Sequence, residues 1–464
     1  MIRTAKKDLQ IVFLAAFLAF AAFTSFAQPS RTPLLQDIQV APQTYSAAPS
    51  ATPVVMKTGS SAPSNPGAIR TLFPALAEVT IPGYSGLLVE SLDGNVVVES
   101  NSNFTFNPAS NVKIATAYAI LKTFGPEFRF TTNVFTDGAI DPNTGTLTGN
   151  VYVAGKDPMF SYEHAVSVAH ELNKMGIRSV TGDLIVTDNF VMNYSGSSQV
   201  SGQTLLAAMD MAKRNPAATR QWLNHLSYSG RFGQVAGVPG VTFSGSVYVQ
   251  PMPSSLHLLF THESTQIREI LKATLCYSNN FLSERLGDLV GGPYAVSRIV
   301  QLNAGVPPQE FSLQTSSGLG YNRVTPNAMM RLLRSLRSDL ARYKMTFADI
   351  MPVAGVDKGT LEGRFDGDFS RGSVVGKTGT LGNTDGGVSA LAGEVNTRNG
   401  KLLFVIFNQR GSVARFRTFQ NYFVSLVQGQ FGGAVPMAYD AMSLDSRLAR
   451  SKISYPSGRM YGNE

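Results

Sequence analysis

Three short clusters in this chain carry residue types that could act together. Ser110 and Lys113 stand three residues apart, Ser278 and Asn280 two apart, and Lys377-Thr378-Gly379-Thr380 form a run. An (i, i+3) spacing places two side chains on one face of a helix, so the Lys113 amine would sit one turn from the Ser110 hydroxyl. A serine hydroxyl is a weak nucleophile until a neighbouring base takes its proton. Lysine serves as that base when burial or nearby positive charge lowers its pKa toward neutrality. The chemistry on offer is therefore attack by a serine with an amine as its base. One S-x-x-K pair is a chance-level motif, so the weight rests on what the other clusters add.

Each cluster also has a plainer reading. Ser278-Asn279-Asn280 could be no more than a helix cap. Its register is ambiguous too, because Tyr277-Ser278-Asn279 also reads as Y-x-N. Gly376-Lys377-Thr378 could end a phosphate-binding loop, but the first glycine of that motif would fall at position 371, which is Arg371. Gly376 and Gly379 beside Lys377 instead imply close backbone approach to a ligand. No G-x-S-x-G elbow supports a Ser-His-Asp triad. The five histidines, His164, His170, His225, His257 and His262, show no zinc-motif spacing, and no metal or other cofactor is expected. The single cysteine, Cys276, forbids an intramolecular disulfide and reads as a small buried side chain.

The elements that must position these residues follow from periodicity. Two strands are expected over Tyr84–Ser100 around Asp93-Gly94, a hairpin signal. A helix follows from Ser110 to Phe124, with Ile114, Ala117, Tyr118 and Leu121 as its stripe and Gly125-Pro126 as its stop. From Phe130 to Val249 short strand-like runs (Thr131–Phe135, Leu147–Ala154, Gly182–Thr187, Gly240–Val249) alternate with helical stretches at Tyr162–Met175 and Gly202–Leu226. Helices resume at Ser264–Leu275 and Asn279–Leu289, and Thr325-Pro326 opens another. Three strands (Ser373–Thr378, Gly387–Val395, Lys401–Asn408) and a helix (Val413–Val427) close the pattern. Strands at both ends with helices between them imply an α+β fold with an antiparallel sheet, in which the first and last pieces meet.

Length and composition bound the rest. The 464 residues suffice for two or three domains with real cores. A net charge of +8 is spread along the chain, with no basic patch or aromatic-basic interleaving, so no nucleic acid partner is expected. Arg3, Lys6 and Lys7 before the apolar run Ile11–Phe23, then Ser25-Phe26-Ala27, read as a secretory signal peptide. This implies an exported, periplasmic protein with at most peripheral membrane association. The expected organisation is residues 1–27 signal peptide, 28–68 Pro/Ser-rich disordered linker, 69–130 and 262–433 the domain bearing the three clusters, 131–261 an inserted mixed α/β domain, and 434–464 a loosely ordered polar tail.

S-x-x-K, S-x-N and K-T-G in this chain order are the signature of penicillin-binding proteins and serine β-lactamases. More specifically, the chain resembles the penicillin-binding protein 4 type of D-alanyl-D-alanine carboxypeptidase/endopeptidase. The likeness runs through Pro108-Ala109-Ser110 to Lys113, Phe124-Gly125-Pro126-Glu127-Phe128-Arg129-Phe130-Thr131-Thr132, Leu147-Thr148-Gly149-Asn150, Asp157-Pro158, Ser278-Asn279-Asn280-Phe281-Leu282-Ser283-Glu284 and Ser317-Gly318-Leu319, and covers roughly residues 80 to 425. It departs between about Asn189 and Gly240, where that family has a longer insertion. The resemblance implies a penicillin-binding-protein/β-lactamase-like transpeptidase fold, with Ser110 as nucleophile and Lys113 as base. Ser278 would relay a proton and Asn280 would bind the substrate amide. Lys377 and Thr378 would meet the substrate carboxylate. The backbone N–H groups of Ser110 and Thr380 would form the oxyanion hole. Peptidoglycan stem peptides would be the substrates and β-lactams the inhibitors. Two other readings compete: a β-lactamase, which needs a placed deacylation base that the sequence does not display, and a catalytically silent peptidoglycan-binding protein on the same fold.

Overall fold

The computed structural model describes residues 68–233, 235 and 237–456. The signal peptide and nearly all of the linker lie outside the described residues. In chain order the main elements are β1 (Tyr84–Ser91), β2 (Val96–Ser100), a 3-10 turn (Ala109–Asn111) leading into α1 (Val112–Phe124), β3 (Thr131–Thr136), β4 (Val151–Gly155), α2 (Tyr162–Lys174), α3 (Ser198–Met209), α4 (Pro216–Tyr228) and β5 (His257–Glu263). Then follow α5 (Ile267–Tyr277), α6 (Asn280–Leu289), α7 (Gly292–Asn303), α8 (Pro326–Arg342), β6 (Val374–Leu381), β7 (Val388–Thr397), β8 (Gly400–Gln409), α9 (Val413–Gln430), α10 (Leu444–Leu448) and β9 (Lys452–Ser454).

Among the described residues, six strands form an antiparallel sheet in the order Arg70–Thr71, β2, β1, β8, β7, β6. The first hairpin therefore pairs with the last strand of the closing meander, as the sequence pattern implied. One sheet face packs on α1, α5 and α8 through Val375, Ala390, Ala392, Leu403, Val405 and Phe407. The other carries Val374, Leu391, Val395, Leu402, Phe404 and Ile406 against Phe419, Phe423 and Val427 of α9. This alternation is the period-2 pattern of a strand buried on both faces. Helix α1 is buried from Val112 through Leu121, so nearly every side chain packs and the helix lies inside the helical layer rather than on its surface.

Residues 131–263 form sheets and a core of their own. One sheet runs Val247–Val249, Leu184–Val186, β4, β3, β5, β9, parallel at its first two pairings and antiparallel beyond. A smaller one runs Thr242–Phe243, Ser179–Val180, Thr146–Thr148, Ala139–Asp141. Val134, Val153, Val166, Leu172, Leu205 and Trp222 fill the core between sheet and helices.

Four expectations need correction. The run Gly240–Val249 is two strands, Thr242–Phe243 and Val247–Val249, in different sheets. The run Leu147–Ala154 is two strands in different sheets, because Gly149 at φ +144° and Asn150 turn the chain between them. The stretch Gly202–Leu226 is two helices. Asp210 ends the first in an extended conformation, and Asn215 caps the second with Pro216 in its first turn. The tail is not loose from 434 to 456. Tyr439 Oη donates to Asp357 Oδ1 at 2.8 Å, and Arg447 pairs with Glu269 at 2.9 Å. The chain then adds β9 to the edge of β5. Its polar composition hid these anchors because each partner lies far away in sequence.

Candidate active site

The site forms where the N-terminus of α1, the junction of α5 and α6, the loop Ser316–Gly318 and strand β6 meet. Ser110 sits in the 3-10 turn that opens α1, and Lys113 lies one turn on. Lys113 is buried, and its Nζ lies 3.1 Å from Ser110 Oγ, 2.8 Å from Asn280 Oδ1 and 2.6 Å from the Ser317 carbonyl oxygen. The two carbonyl-type oxygens can only accept, so they take two amine protons. The third direction, toward Ser110, holds the lone pair when the amine is neutral. Burial lowers the Lys113 pKa to about 7, against a smaller opposing pull from the Glu284 carboxylate. Near neutral pH a large fraction of Lys113 can therefore accept the serine proton.

The α5–α6 junction settles which side chains face this pair. Ser278 ends α5 in the left-handed region, φ +55° and ψ +41°. Asn279 turns its side chain to cap α6, accepting the Leu282 N–H at 3.0 Å, a contact worth about 1 kcal/mol. With Asn279 spent as a cap, Ser278 and Asn280 are the residues brought to Lys377 and Lys113, whereas Tyr277 is exposed. The S-x-N register is the one the geometry uses. Cys276 is buried just beneath, and burial pushes its thiol up to about 12.

Lys377 is fully buried on β6 and donates to Ser278 Oγ at 2.8 Å and to the Thr378 carbonyl at 2.7 Å. Burial, reinforced by the Lys113 charge, pulls its pKa well below the usual lysine range. Gly379 differs from expectation. A Cβ there would lie 2.6 Å from the Pro108 carbonyl oxygen and 3.0 Å from Ala109 Cβ, and one at Gly376 would lie 2.6 Å from the Ala392 carbonyl oxygen. Both glycines serve close approach to the chain's own backbone: Gly379 lets β6 lie against the turn bearing Ser110, and Gly376 lets it lie close to β7.

Sequence reasoning gave no role to two further residues. Glu284 accepts from the Ser316 and Ser317 N–H groups at 3.1 and 2.9 Å, fixing the loop whose carbonyl receives Lys113. Arg417 of α9 is exposed and reaches Thr380 Oγ1 at 3.0 Å. Glu284 stood within the quoted motif, six residues after Ser278. Arg417 had no local signal, since only the packing of α9 brings it to β6.

An antiparallel sheet with a serine–lysine pair beneath its edge strand defines a protein of the penicillin-binding/β-lactamase-like fold. The comparisons agree. The D-Ala-D-Ala carboxypeptidase 3 (S13) family matches residues 76–199 and 231–428, and the chain belongs to that family. It is a carboxypeptidase, a hydrolase. The chain is 26% identical over 425 residues to the D-alanyl-D-alanine carboxypeptidase of Actinomadura sp. (strain R39), covering 69% of this chain and 77% of that protein. It is 24% identical over 416 residues to the D-alanyl-D-alanine carboxypeptidase DacB of Haemophilus influenzae, covering 69% and 84%. Among solved structures, penicillin G-acylated predatory endopeptidase of Bdellovibrio bacteriovorus shares the fold with a TM-score of 0.66 at 21% identity, covering 77% of this chain and 96% of that one. Penicillin-binding protein 4 of H. influenzae superposes with a TM-score of 0.56 at 21% identity, covering 77% and 99%.

Proposed function

We propose that this chain cleaves D-Ala-D-Ala bonds of peptidoglycan stem peptides through an acyl-enzyme on Ser110. The observation that carries the reading is the Lys113 amine, 3.1 Å from Ser110 Oγ, with two other contacts that only accept protons. Lys113 takes the Ser110 proton as Oγ attacks the carbonyl carbon of the penultimate D-alanine. The tetrahedral oxyanion is held by the N–H groups of Ser110 and Thr380, and loss of one such donor costs on the order of 3 kcal/mol. Ser278, bridged to Lys377, gives its proton to the leaving amine and takes up the one Lys113 had accepted, so Lys113 is neutral again. The C–N bond breaks and D-alanine departs, or a cross-linked strand departs in the endopeptidase version. Water then adds to the ester, Lys113 takes its proton, and Ser110 leaves with its own proton restored. Asn280 holds both Lys113 and the substrate amide. Lys377, Thr378 and Thr380 receive the substrate carboxylate, with Arg417 against the Thr380 hydroxyl. Gly379 keeps β6 close enough for this.

β-Lactams acylate Ser110 by the same attack, a reading supported by the penicillin G-acylated neighbour. Among the described residues no helix is long and apolar enough to cross a membrane. The signal-like N-terminus supports export to the periplasm, where the substrate lies. We place the inserted domain at 131–261, between the two parts of the catalytic domain at 69–130 and 262–433. Ser110→Ala is expected to abolish both fluorescent-penicillin labelling and D-alanine release from a pentapeptide substrate. Labelling that persists in the folded variant would remove Ser110 from the mechanism.

A further inference from the structure

Ser110 follows a residue in a costly conformation. Ala109 has φ +46°, a left-handed geometry that costs a non-glycine residue about 1 kcal/mol or more. Gly318, at φ +91°, and Gly379 press on this turn from two sides: a Cβ at Gly318 would lie 2.0 Å from the Ala109 carbonyl oxygen, and one at Gly379 would lie 2.6 Å from that of Pro108. What holds the turn is the buried Asn107. Its Oδ1 accepts the Ala109 N–H at 3.0 Å, and its Nδ2 donates to the Gly320 carbonyl at 2.8 Å and to Asp385 Oδ2 at 2.7 Å. Its backbone N–H donates to Gln409 Oε1 at 3.3 Å.

Asp385 lies in the turn joining β6 to β7, itself at φ +50°. Arg323 grips its carboxylate with two hydrogen bonds, 2.9 Å to Oδ1 and 3.1 Å to Oδ2. The Arg410 N–H donates to its carbonyl at 3.2 Å. The carboxylate can only accept, so it fixes which way the Asn107 amide faces: nitrogen toward Asp385 and Gly320, oxygen toward Ala109. Asp385 is four residues beyond the end of β6, and Asn107 is three residues before Ser110. The pair thus ties together the two segments that supply the oxyanion N–H groups.

We propose that Asp385, clamped by Arg323, is a positioning residue. Through Asn107 it sets the Ala109–Ser110 turn, and with it the aim of the Ser110 Oγ and N–H toward the substrate carbonyl. This rests on the acyl-enzyme reading above. Small misplacements of a reacting group cost up to about 100-fold in rate, so Asp385→Asn and Asp385→Ala should each slow acylation about 10- to 100-fold. Formation and hydrolysis of the acyl-enzyme both need the oxyanion site, so both should slow. Reversible binding before acylation should not change, and neither should the midpoint of the pH–rate profile, because Asp385 does not touch Lys113.

The test is stopped-flow acylation and deacylation with a β-lactam on the full chain, with melting temperature measured in parallel. Asp385→Ala is also combined with Asn107→Ala, which removes the same link from its other end. If Asp385 acts through Asn107, adding Asp385→Ala to Asn107→Ala is expected to slow acylation by less than about threefold more. Parental rates in folded Asp385→Ala would overturn the proposal alone. So would losses that multiply in the double variant, or a loss that appears in the binding step instead of acylation. A parent protein that forms no acyl-enzyme would overturn the acyl-enzyme reading, and this proposal with it.

Discussion

Lys113 makes its contact with Ser110 while two protein oxygens hold its remaining protons, so its ionisation should set the pH dependence of the reaction. With the pKa lowered to about 7, the neutral base grows as pH rises. Acylation kcat/KM should climb through a midpoint near 7 and level off above it. Glu284 raises that value by favouring the ammonium. Glu284→Gln should therefore move the midpoint to lower pH, as read from the pH profile of acylation; a shift upward would contradict the assignment of Lys113 as base. Lys113→Arg, which stays charged, should lose about 10²- to 10⁴-fold in rate. At this scale the sequence was legible where chemistry is local. Ser110 and Lys113 share a helical face by spacing alone, and chain order linked them to Ser278, Asn280 and Lys377. Asp385 and Arg417 were not legible, because contacts with residues distant in the chain define their surroundings.

Among the elements, β6 is held close to the 3-10 turn by an absent side chain. Gly379→Ala would drive a methyl group to within 2.6 Å of the Pro108 carbonyl oxygen. The strand must retreat, carrying Thr378 and Thr380 with it, while its pairing with β7 can persist. The expected result is a loss of acylation of about 100-fold with a modest fall in melting temperature, measured by burst labelling beside calorimetry. Undiminished labelling would show that the turn yields instead. Element types were readable where the period was long and consistent, as in α1 and the meander β6–β8. They failed at Asp210–Asn215 and Gly149-Asn150, where a break in direction falls inside a run of suitable residues. The pattern records which residues want burial, but a bend needs tertiary contacts to fix it.

Across the molecule, the inserted segment gathers histidines that the sequence shows as unrelated. His164 of α2 lies 4.9 Å from His262 of β5 and 5.9 Å from His225 of α4, ring centre to ring centre. Burial lowers His164 to about 4 and His225 to about 3, and pushes His262 well below its usual value, with neighbouring histidines and Arg231 adding to the last two. An unfolded chain takes up protons below about 6.5 that the fold refuses, so stability should fall as pH drops from about 6.5 toward about 4. Asp157, raised to about 7 by burial, acts in the opposite sense, its contribution lost as pH rises toward 7. Glu90 and Asp288, also raised by burial, act in the same opposing sense, so the positive contribution of the histidine cluster is read as the difference between the parent and a variant that lacks one of its rings. Melting temperature against pH should show that difference, with His262→Leu the flatter profile; an unaltered slope would point to groups outside the cluster. The pairing of β1 with β8 has a further consequence, in the order of synthesis. Ser85 and Asn408 hydrogen-bond across 323 residues, so β1 waits with one edge open while that length of chain is made. Such an edge is an aggregation hazard during that interval. Ser110, the proposed nucleophile, is made early, yet Lys377 and the rest of β6 arrive only with the closing meander. No acylation through that site can begin before the meander is in place.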